Sequence, residues 1–269
     1  EFNYSRHGIG KTELFKERIF EILPGFLSWI IIIGVCFFSI VKPLACSVFM
    51  IAFLLYWFLR LIYMNIFLIL SYFRLEIEKN TDWMKRLEAI DNLKSKQPYF
   101  CGSKGIKGFK DKISAGMHCS QLKKIISSEK NVPFSKDIYH LVIIPVVRED
   151  RGVVEPGIMA IKNGDYPSKR FLVIIALEES ASAVSKEDMY AIKEKYKDDF
   201  LDFLVIVHPA NRPNEAKVKG ANATFSAKAA QEYFNNKNIP LENVLVSCFD
   251  SDSVANPKYF SCLTYYFLI

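Results

Sequence analysis

The sequence lacks the paired cysteine spacing of a zinc site. Its six cysteines are scattered. Cys101 and the adjacent residues His118 and Cys119 do not have the paired ligand spacing of such sites. No zinc site is therefore expected. Two of the cysteines lie in apolar segments, and the cytoplasmic location that the cation distribution predicts argues against disulfides.

Polar residues are scarce between Ile22 and Phe73. Hydrophobic residues make up 51% of the chain and charged residues 24%, an apolar share that is high for a soluble protein. The run Ile22–Val41 has about twenty residues, enough to cross a hydrocarbon core about 30 Å thick. The run Leu44–Phe73 is longer, so it crosses with a tilt or continues along the interface, where Arg60 reaches the headgroups.

Neither a signal peptide nor a soluble helical bundle fits these runs as well as membrane spans do. A cleavable signal peptide would need a small-residue cleavage site, and a second apolar run follows at once instead. Two core helices of a soluble bundle would need polar faces that the runs lack. We therefore predict a transmembrane helical hairpin over residues 22–73. Its interruptions are Pro24, Lys42, Pro43, Arg60 and Asn65.

Cations are distributed asymmetrically around the predicted hairpin. The connection holds one cation, Lys42, whereas basic residues stand on both outer flanks. By the positive-inside bias, both flanks are cytoplasmic, which predicts a multi-pass protein of the cell (inner) membrane. The predicted organisation is a cytoplasmic segment 1–21, the hairpin, a charged cytoplasmic linker 74–137 and a domain over residues 138–269. The net charge of +6 lies largely in these flanks and requires no nucleic-acid partner.

Beyond Ile138, short apolar runs alternate with helical patterns. This alternation is typical of an α/β domain with a mostly parallel sheet and helices on both faces. Right-handed crossovers place all strand carboxyl ends at one edge. The predicted strands are Tyr139–Val147, Arg170–Leu177, Phe200–Val207 and Asn243–Phe249, and the predicted helices cover about 153–163, 186–197 and 220–235.

Polar side chains follow each predicted strand. They are Arg148, Glu149 and Asp150 after the first, Glu178, Glu179 and Ser180 after the second, His208 after the third, and Asp250 and Asp252 after the fourth. Ligands bind at this edge of open α/β sheets, and an Asp-x-Asp pair offers oxygen ligands to one Mg or Mn ion. Alternatively, the aspartates cap a helix that begins near Pro257, Glu149 and Glu178 are solvent-exposed acids, and His208 is structural.

These motifs, in this order, resemble family 2 glycosyltransferases, the inverting GT-A group that includes membrane-embedded polysaccharide synthases. The similarity rests on Ile144-Pro-Val-Val-Arg-Glu149, Glu178-Glu-Ser180, Lys219-Gly-Ala-Asn222 and Asp250-Ser-Asp252, and it spans about residues 139–269. It implies a GT-A (Rossmann-like) domain that transfers a sugar from a nucleoside-diphosphate sugar to a lipid or polysaccharide acceptor. By position, Glu149 and Glu178 would line the nucleoside pocket, Lys219 and Asn222 the diphosphate side, and Asp250 and Asp252 a Mg or Mn ion, with Asp250 also facing the donor.

The chain departs from this family in two respects. The second strand is followed by glutamate where the family usually has aspartate. The family's acidic Thr-Glu-Asp-like motif, which supplies its general base, and its Gln-x-x-Arg-Trp motif have no match before Ile269. The resemblance therefore predicts a fragment that is inactive alone, with its base beyond Ile269. Two other function classes stay open: a different metal-dependent nucleotide enzyme, such as a nucleotidyltransferase, and a non-catalytic membrane scaffold.

Overall fold

The computed structural model describes residues 10–99, 101, 108–128, 132–210 and 219–269. The chain divides into two compact units, Glu1–Glu76 and Ile77–Ile269. The first unit is helical, and the second is built around a parallel sheet.

Two long apolar helices form the described part of the first unit. Helix α1 spans Lys11–Val41 and helix α2 spans Pro43–Asn80, so the last residues of α2 belong to the second unit. Both are long and apolar enough to cross a membrane, and almost none of their apolar surface is buried within the protein. Lys42 forms the turn between them and donates its backbone N–H to the Phe38 carbonyl at 2.9 Å. Near this turn, the Cys46 thiol lies 3.8 Å from the Val35 carbonyl oxygen.

The segment predicted as a charged linker instead contains two helices, α3 (Trp83–Lys94) and α4 (Phe109–Ser128). Trp83, Leu87 and Ile90 are almost fully buried, and their spacing places them on one face of α3. That face joins the hydrophobic core of the sheet domain. The linker prediction missed this because the exposed lysines and acids dominate the composition while only one helical face is apolar.

The sheet has four parallel strands in the order β3-β2-β1-β4. They are β1 (Tyr139–Val146), β2 (Phe171–Glu178), β3 (Asp202–His208) and β4 (Val244–Cys248). The central strands β1 and β2 are buried almost throughout, as expected where helices cover both faces. The prediction of a parallel α/β sheet is confirmed.

Four further helices flank this sheet, namely α5 (Arg151–Lys162), α6 (Ala183–Tyr196), α7 (Lys219–Asn236) and α8 (Tyr259–Leu268). Helices α5, α6 and α8 share one core with α3, and α7 packs on the opposite face. Helices α5 and α6 begin earlier than predicted because Asp150 and Ser182 cap them. Each accepts a hydrogen bond from a backbone N–H in the first turn, from Val153 at 3.2 Å and from Ser185 at 3.0 Å.

The structure joins Cys101 to Cys119 in a disulfide, with Cα atoms 5.4 Å apart. The structure and the compartment argument therefore differ for this pair, because the structure joins the two sulfur atoms whereas a cytoplasmic location would keep them reduced. The sequence argument relied on compartment alone, whereas the structure places Cys101 beside Cys119 in the middle of α4. No second disulfide occurs among the described cysteines.

Candidate functional site at the strand carboxyl ends

The sheet order places a topological switch point between β1 and β4, the position at which open α/β sheets have a crevice outside the strand carboxyl ends. Strands β1, β2 and β3 are added in one direction, and the chain then returns to place β4 on the other side of β1. Open α/β sheets bind ligands at such a switch point, outside the strand carboxyl ends. Glu149 follows β1, and the sequence Asp250-Ser251-Asp252 follows β4, so these residues border the switch point.

Glu149 connects the two sides of this switch point. Its carboxylate accepts hydrogen bonds from the backbone N–H groups of Val147 at 2.7 Å and Arg148 at 2.9 Å. On its other oxygen it accepts the Ser251 hydroxyl at 3.0 Å. Burial acts to raise the pKa of this carboxyl group, but the hydrogen bonds outweigh burial and hold the pKa below its ordinary value. Glu149 is therefore an ionised group that fixes the β1 and β4 loops together.

The two glutamates in the acidic turn after β2 make different contacts. Glu178 accepts the Ser180 hydroxyl at 3.1 Å. Glu179 accepts the backbone N–H of Ala210 at 2.6 Å, and its own N–H donates to the His208 carbonyl at 3.0 Å. Glu179 thus holds the loop after β3, whereas Glu178 ends β2 itself at the edge. The His208 ring packs 5.1 Å from the Phe225 ring of α7.

Helix α7 begins at this edge with Lys219, whose side chain lies outside the described part of the chain. Asn222 is buried, and its amide donates to the Ala176 carbonyl of β2 at 2.7 Å. Its Oδ1 has no hydrogen-bond partner within the described residues. The amide contact fixes the first turn of α7 against β2, so the amino end of α7 lies beside the strand ends.

Asp250 and Asp252 are both exposed on the turn after β4. The turn is closed by the Ser253 N–H, which donates to the Asp250 carbonyl at 2.9 Å. The alternative that these aspartates cap the next helix is wrong, because α8 begins at Tyr259 and its N-cap residue is Lys258. Between the two exposed aspartates, the buried Ser251 points to Glu149.

Two residues that position this turn were missed from the sequence. Ser251 stands between the aspartates, and no pattern in the sequence separates the direction of its side chain from theirs, because the segment is a turn and not a strand. Gly157 lies in α5, where a side chain would meet the Ser253 carbonyl, since a Cβ would lie 2.6 Å from that oxygen. The absence of a side chain at Gly157 lets the turn after β4 seat against α5.

The donor atoms at this turn fit a divalent cation. Mg²⁺ commonly takes one or two protein carboxylates and completes its shell with water and substrate phosphates. Asp250 and Asp252 supply two such carboxylates, and no cluster of three or more histidine, cysteine or acidic ligands occurs in the described residues. Two carboxylates are the protein share of an ion that also binds a phosphate ligand.

Comparison with protein-family models, with curated proteins and with solved structures finds no match. The functional interpretation therefore rests on the residues of this chain.

Proposed function

We propose that the domain binds a nucleoside-diphosphate sugar at the carboxyl edge of the sheet and transfers the sugar to a lipid or polysaccharide acceptor at a membrane. The observation that carries this proposal is the switch point between β1 and β4, with Glu149 after one strand and the exposed Asp250 and Asp252 after the other. Its position is that of a nucleotide site in an open parallel sheet.

Each part of the donor has a chemical counterpart at this edge. The loops that Glu149 holds and the acidic end of β2 at Glu178 border the space for the nucleoside. The amino end of α7, at Lys219 and Asn222, presents the backbone N–H groups of its first turn and a positive helix dipole toward the diphosphate. Asp250 and Asp252 would hold a Mg or Mn ion, which offsets charge on the diphosphate leaving group.

The membrane part of the proposal rests on the first unit. Helices α1 and α2 expose apolar side chains along their length, and the cation asymmetry around them favours a cytoplasmic sheet domain. A transferase held at the membrane surface is suited to a lipid-linked or membrane-extruded acceptor. The family resemblance agrees with this arrangement, and the choice of sugar is left to experiment.

Metal-linked nucleotide binding tests the proposal. The purified full chain in detergent is titrated with nucleoside diphosphates and their sugar conjugates, with Mg²⁺ or Mn²⁺ present or removed by chelation. We expect saturable binding that weakens about tenfold or more on chelation or in Asp252→Asn, since each carries a charge-assisted contact to the diphosphate.

Asp198→Asn is the matched control for this variant. Asp198 is also exposed, but it precedes β3 and so lies toward the opposite edge of the sheet. Its substitution should leave binding unchanged. Binding that is independent of metal and equal in Asp252→Asn would contradict the proposal, and binding of a nucleoside triphosphate with none of a sugar nucleotide would favour a nucleotidyltransferase instead.

A further inference from the structure

A second candidate site lies in the segment that the sequence predicted as a linker. A cavity of about 700 Å³ opens between α3, α4 and the end of α2, a volume typical of small-ligand sites. It is lined by none of the strand-end residues discussed above, so it is a separate site.

Hydrogen-bonding groups line the interior of this cavity. Thr81 and Ser114 are buried, with their hydroxyl oxygens 3.5 Å apart. The Arg86 guanidinium donates to the Ser114 hydroxyl at 2.6 Å. The His118 Nδ1 atom lies 2.8 Å from the Tyr265 hydroxyl, which leaves Nε2 as the ring nitrogen available to the cavity. The interior is therefore suited to an oxyanion.

Arg86 is a half-buried cation without a carboxylate partner in the described residues. Its guanidinium lies 5.0 Å from the Trp83 ring centroid and 5.8 Å from that of Tyr265. Burial lowers the pKa of Arg86 below its ordinary value. Because a partly desolvated cation is costly without an anion, and a guanidinium matches the oxygens of a phosphate, a phosphate in the cavity would supply the missing partner.

The mouth of the cavity has the opposite character. Lys85 pairs there with Asp82 at 3.5 Å. Glu88 and Asp111 are also exposed at the mouth and form no ion pair with the described residues. Two unneutralised carboxylates repel a polyanion such as a nucleotide and attract a cation. A ligand that carries a phosphate and, a short distance away, an ammonium group satisfies both the interior and the mouth.

We propose that this cavity binds a phosphoethanolamine group, with its phosphate at Arg86 and Ser114 and its ammonium at Glu88 and Asp111. Both the headgroup of phosphatidylethanolamine and soluble phosphoethanolamine carry this chemistry. The site is independent of the donor site at the strand ends, and failure of either proposal leaves the other standing.

Trp83 provides a direct optical probe, because its ring contacts Arg86. The full chain in detergent, with Trp29→Phe and Trp57→Phe to leave Trp83 as the reporter, is titrated with O-phosphoethanolamine, inorganic phosphate and ethanolamine. We expect saturable binding of phosphoethanolamine, weaker binding of phosphate and weakest binding of ethanolamine. Arg86→Gln should weaken the first two by about tenfold to a hundredfold, as expected for lost hydrogen bonds to a charged group.

The control for Arg86→Gln is Lys123→Gln, which removes an exposed cation from α4 outside the cavity and should change nothing. The double variant Glu88→Gln with Asp111→Asn tests the mouth without disturbing the interior, since both side chains are exposed. It should weaken phosphoethanolamine by about twofold to tenfold and leave phosphate binding equal or tighter.

Binding in nanodiscs of different lipids shows whether the natural ligand is the phosphatidylethanolamine headgroup or soluble phosphoethanolamine. If the natural ligand is the lipid headgroup, the chain in phosphatidylethanolamine nanodiscs no longer responds to added phosphoethanolamine, whereas the chain in phosphatidylglycerol nanodiscs does. An equal response in both identifies the soluble compound. The proposal is overturned if folded Arg86→Gln binds phosphoethanolamine as the parent does, or if the double variant loses no preference for phosphoethanolamine over phosphate.

Discussion

The two units contain the same apolar residue types but surround them differently. In α1 no residue is buried, and in α2 only Cys46 is. In β2 every residue from Phe171 to Leu177 is buried. Apolar composition therefore shows that a segment requires nonpolar surroundings, but it does not show whether the protein itself provides them. In the sheet unit the helices of that unit supply them, whereas among the described residues almost nothing covers α1 and α2.

Length and periodicity separate the two cases. A strand of eight residues with apolar side chains on both faces, such as β2, needs a cover on each face, and α5, α6 and α7 provide it. Helices α1 and α2 have 31 and 38 residues and are apolar around much of their circumference. A helix of that kind satisfies its own backbone groups and can lie in lipid, which an open strand cannot.

Labelling from outside the cell gives the largest expected effect, because it is all or none. In a chain whose six native cysteines are replaced by serine, Lys42→Cys should react with an impermeant maleimide in intact cells, since Lys42 connects the two predicted spans. Asp198→Cys, in the sheet domain, should react only after permeabilisation. The reverse pattern would refute the cytoplasmic location of the sheet domain.

The redox state of Cys101 and Cys119 is an independent readout of the same topology. The structure joins them in a disulfide, whereas the cytoplasm keeps most thiols reduced. For a cytoplasmic domain, trapping thiols by alkylation before lysis should therefore find both cysteines reduced in cells. Finding them oxidised would place the domain in an oxidising compartment and reverse the predicted orientation.

Removing the same atoms from both units gives the next largest effect. Ile174 in β2 is fully buried, whereas Ile62 in α2 is 43% exposed. Ile174→Ala should lower the free energy of unfolding of the sheet domain by about 2–5 kcal/mol, because it removes buried methylene groups and leaves a cavity. Ile62→Ala should leave that quantity unchanged. Chemical denaturation in detergent, followed by a sheet-domain probe, measures both, and equal losses would mean that α2 belongs to the same folding unit.

The sheet could be predicted from the sequence because its strands are short, apolar and separated by helical patterns. The bounds of β1, β2 and β4 follow from those runs to within one or two residues, and the polar residues after Val146 and Cys248 mark the site edge. The burial of one face of α3, at Trp83, Leu87 and Ile90, was harder to predict. Charged residues on the exposed faces of the helix dominate its composition, so the apolar face does not stand out. Here tertiary packing, not composition, decides the structure.

The candidate site was predictable in its members but not in their contacts. Glu149 and Asp250 stand out as acids at strand ends, yet the sequence does not show that Glu149 accepts a hydrogen bond from Ser251. Likewise, Asn222 was predicted near a diphosphate, and the structure shows its amide fixed to Ala176 of β2. Such contacts depend on which loops meet across the sheet edge, and that information is three-dimensional.

The last prediction concerns pH and also belongs to the sheet unit, because residues 11–80 contain no histidine. His140 is fully buried, and burial lowers its pKa to about 3. Its ring stacks on Phe171 at 5.1 Å, and its Nε2 lies 2.8 Å from the Thr264 hydroxyl oxygen. The unfolded chain binds a proton at this residue below an ordinary pKa of about 6.5, whereas the folded chain stays neutral there down to about pH 3.

Stability should therefore fall as pH falls through this window, since protons bind preferentially to the unfolded state. The slope contributed by His140 is about 1.4 kcal/mol per pH unit. His118, whose pKa burial and the charge of Arg86 lower to about 4, adds a similar slope over a narrower window. His140→Phe keeps an aromatic ring beside Phe171 and should remove one such slope between about pH 6 and pH 4, whereas His118→Gln removes the other. Denaturation at several pH values measures both slopes, and an unchanged profile in His140→Phe would show that His140 is protonated in the folded protein or that the site is hydrated.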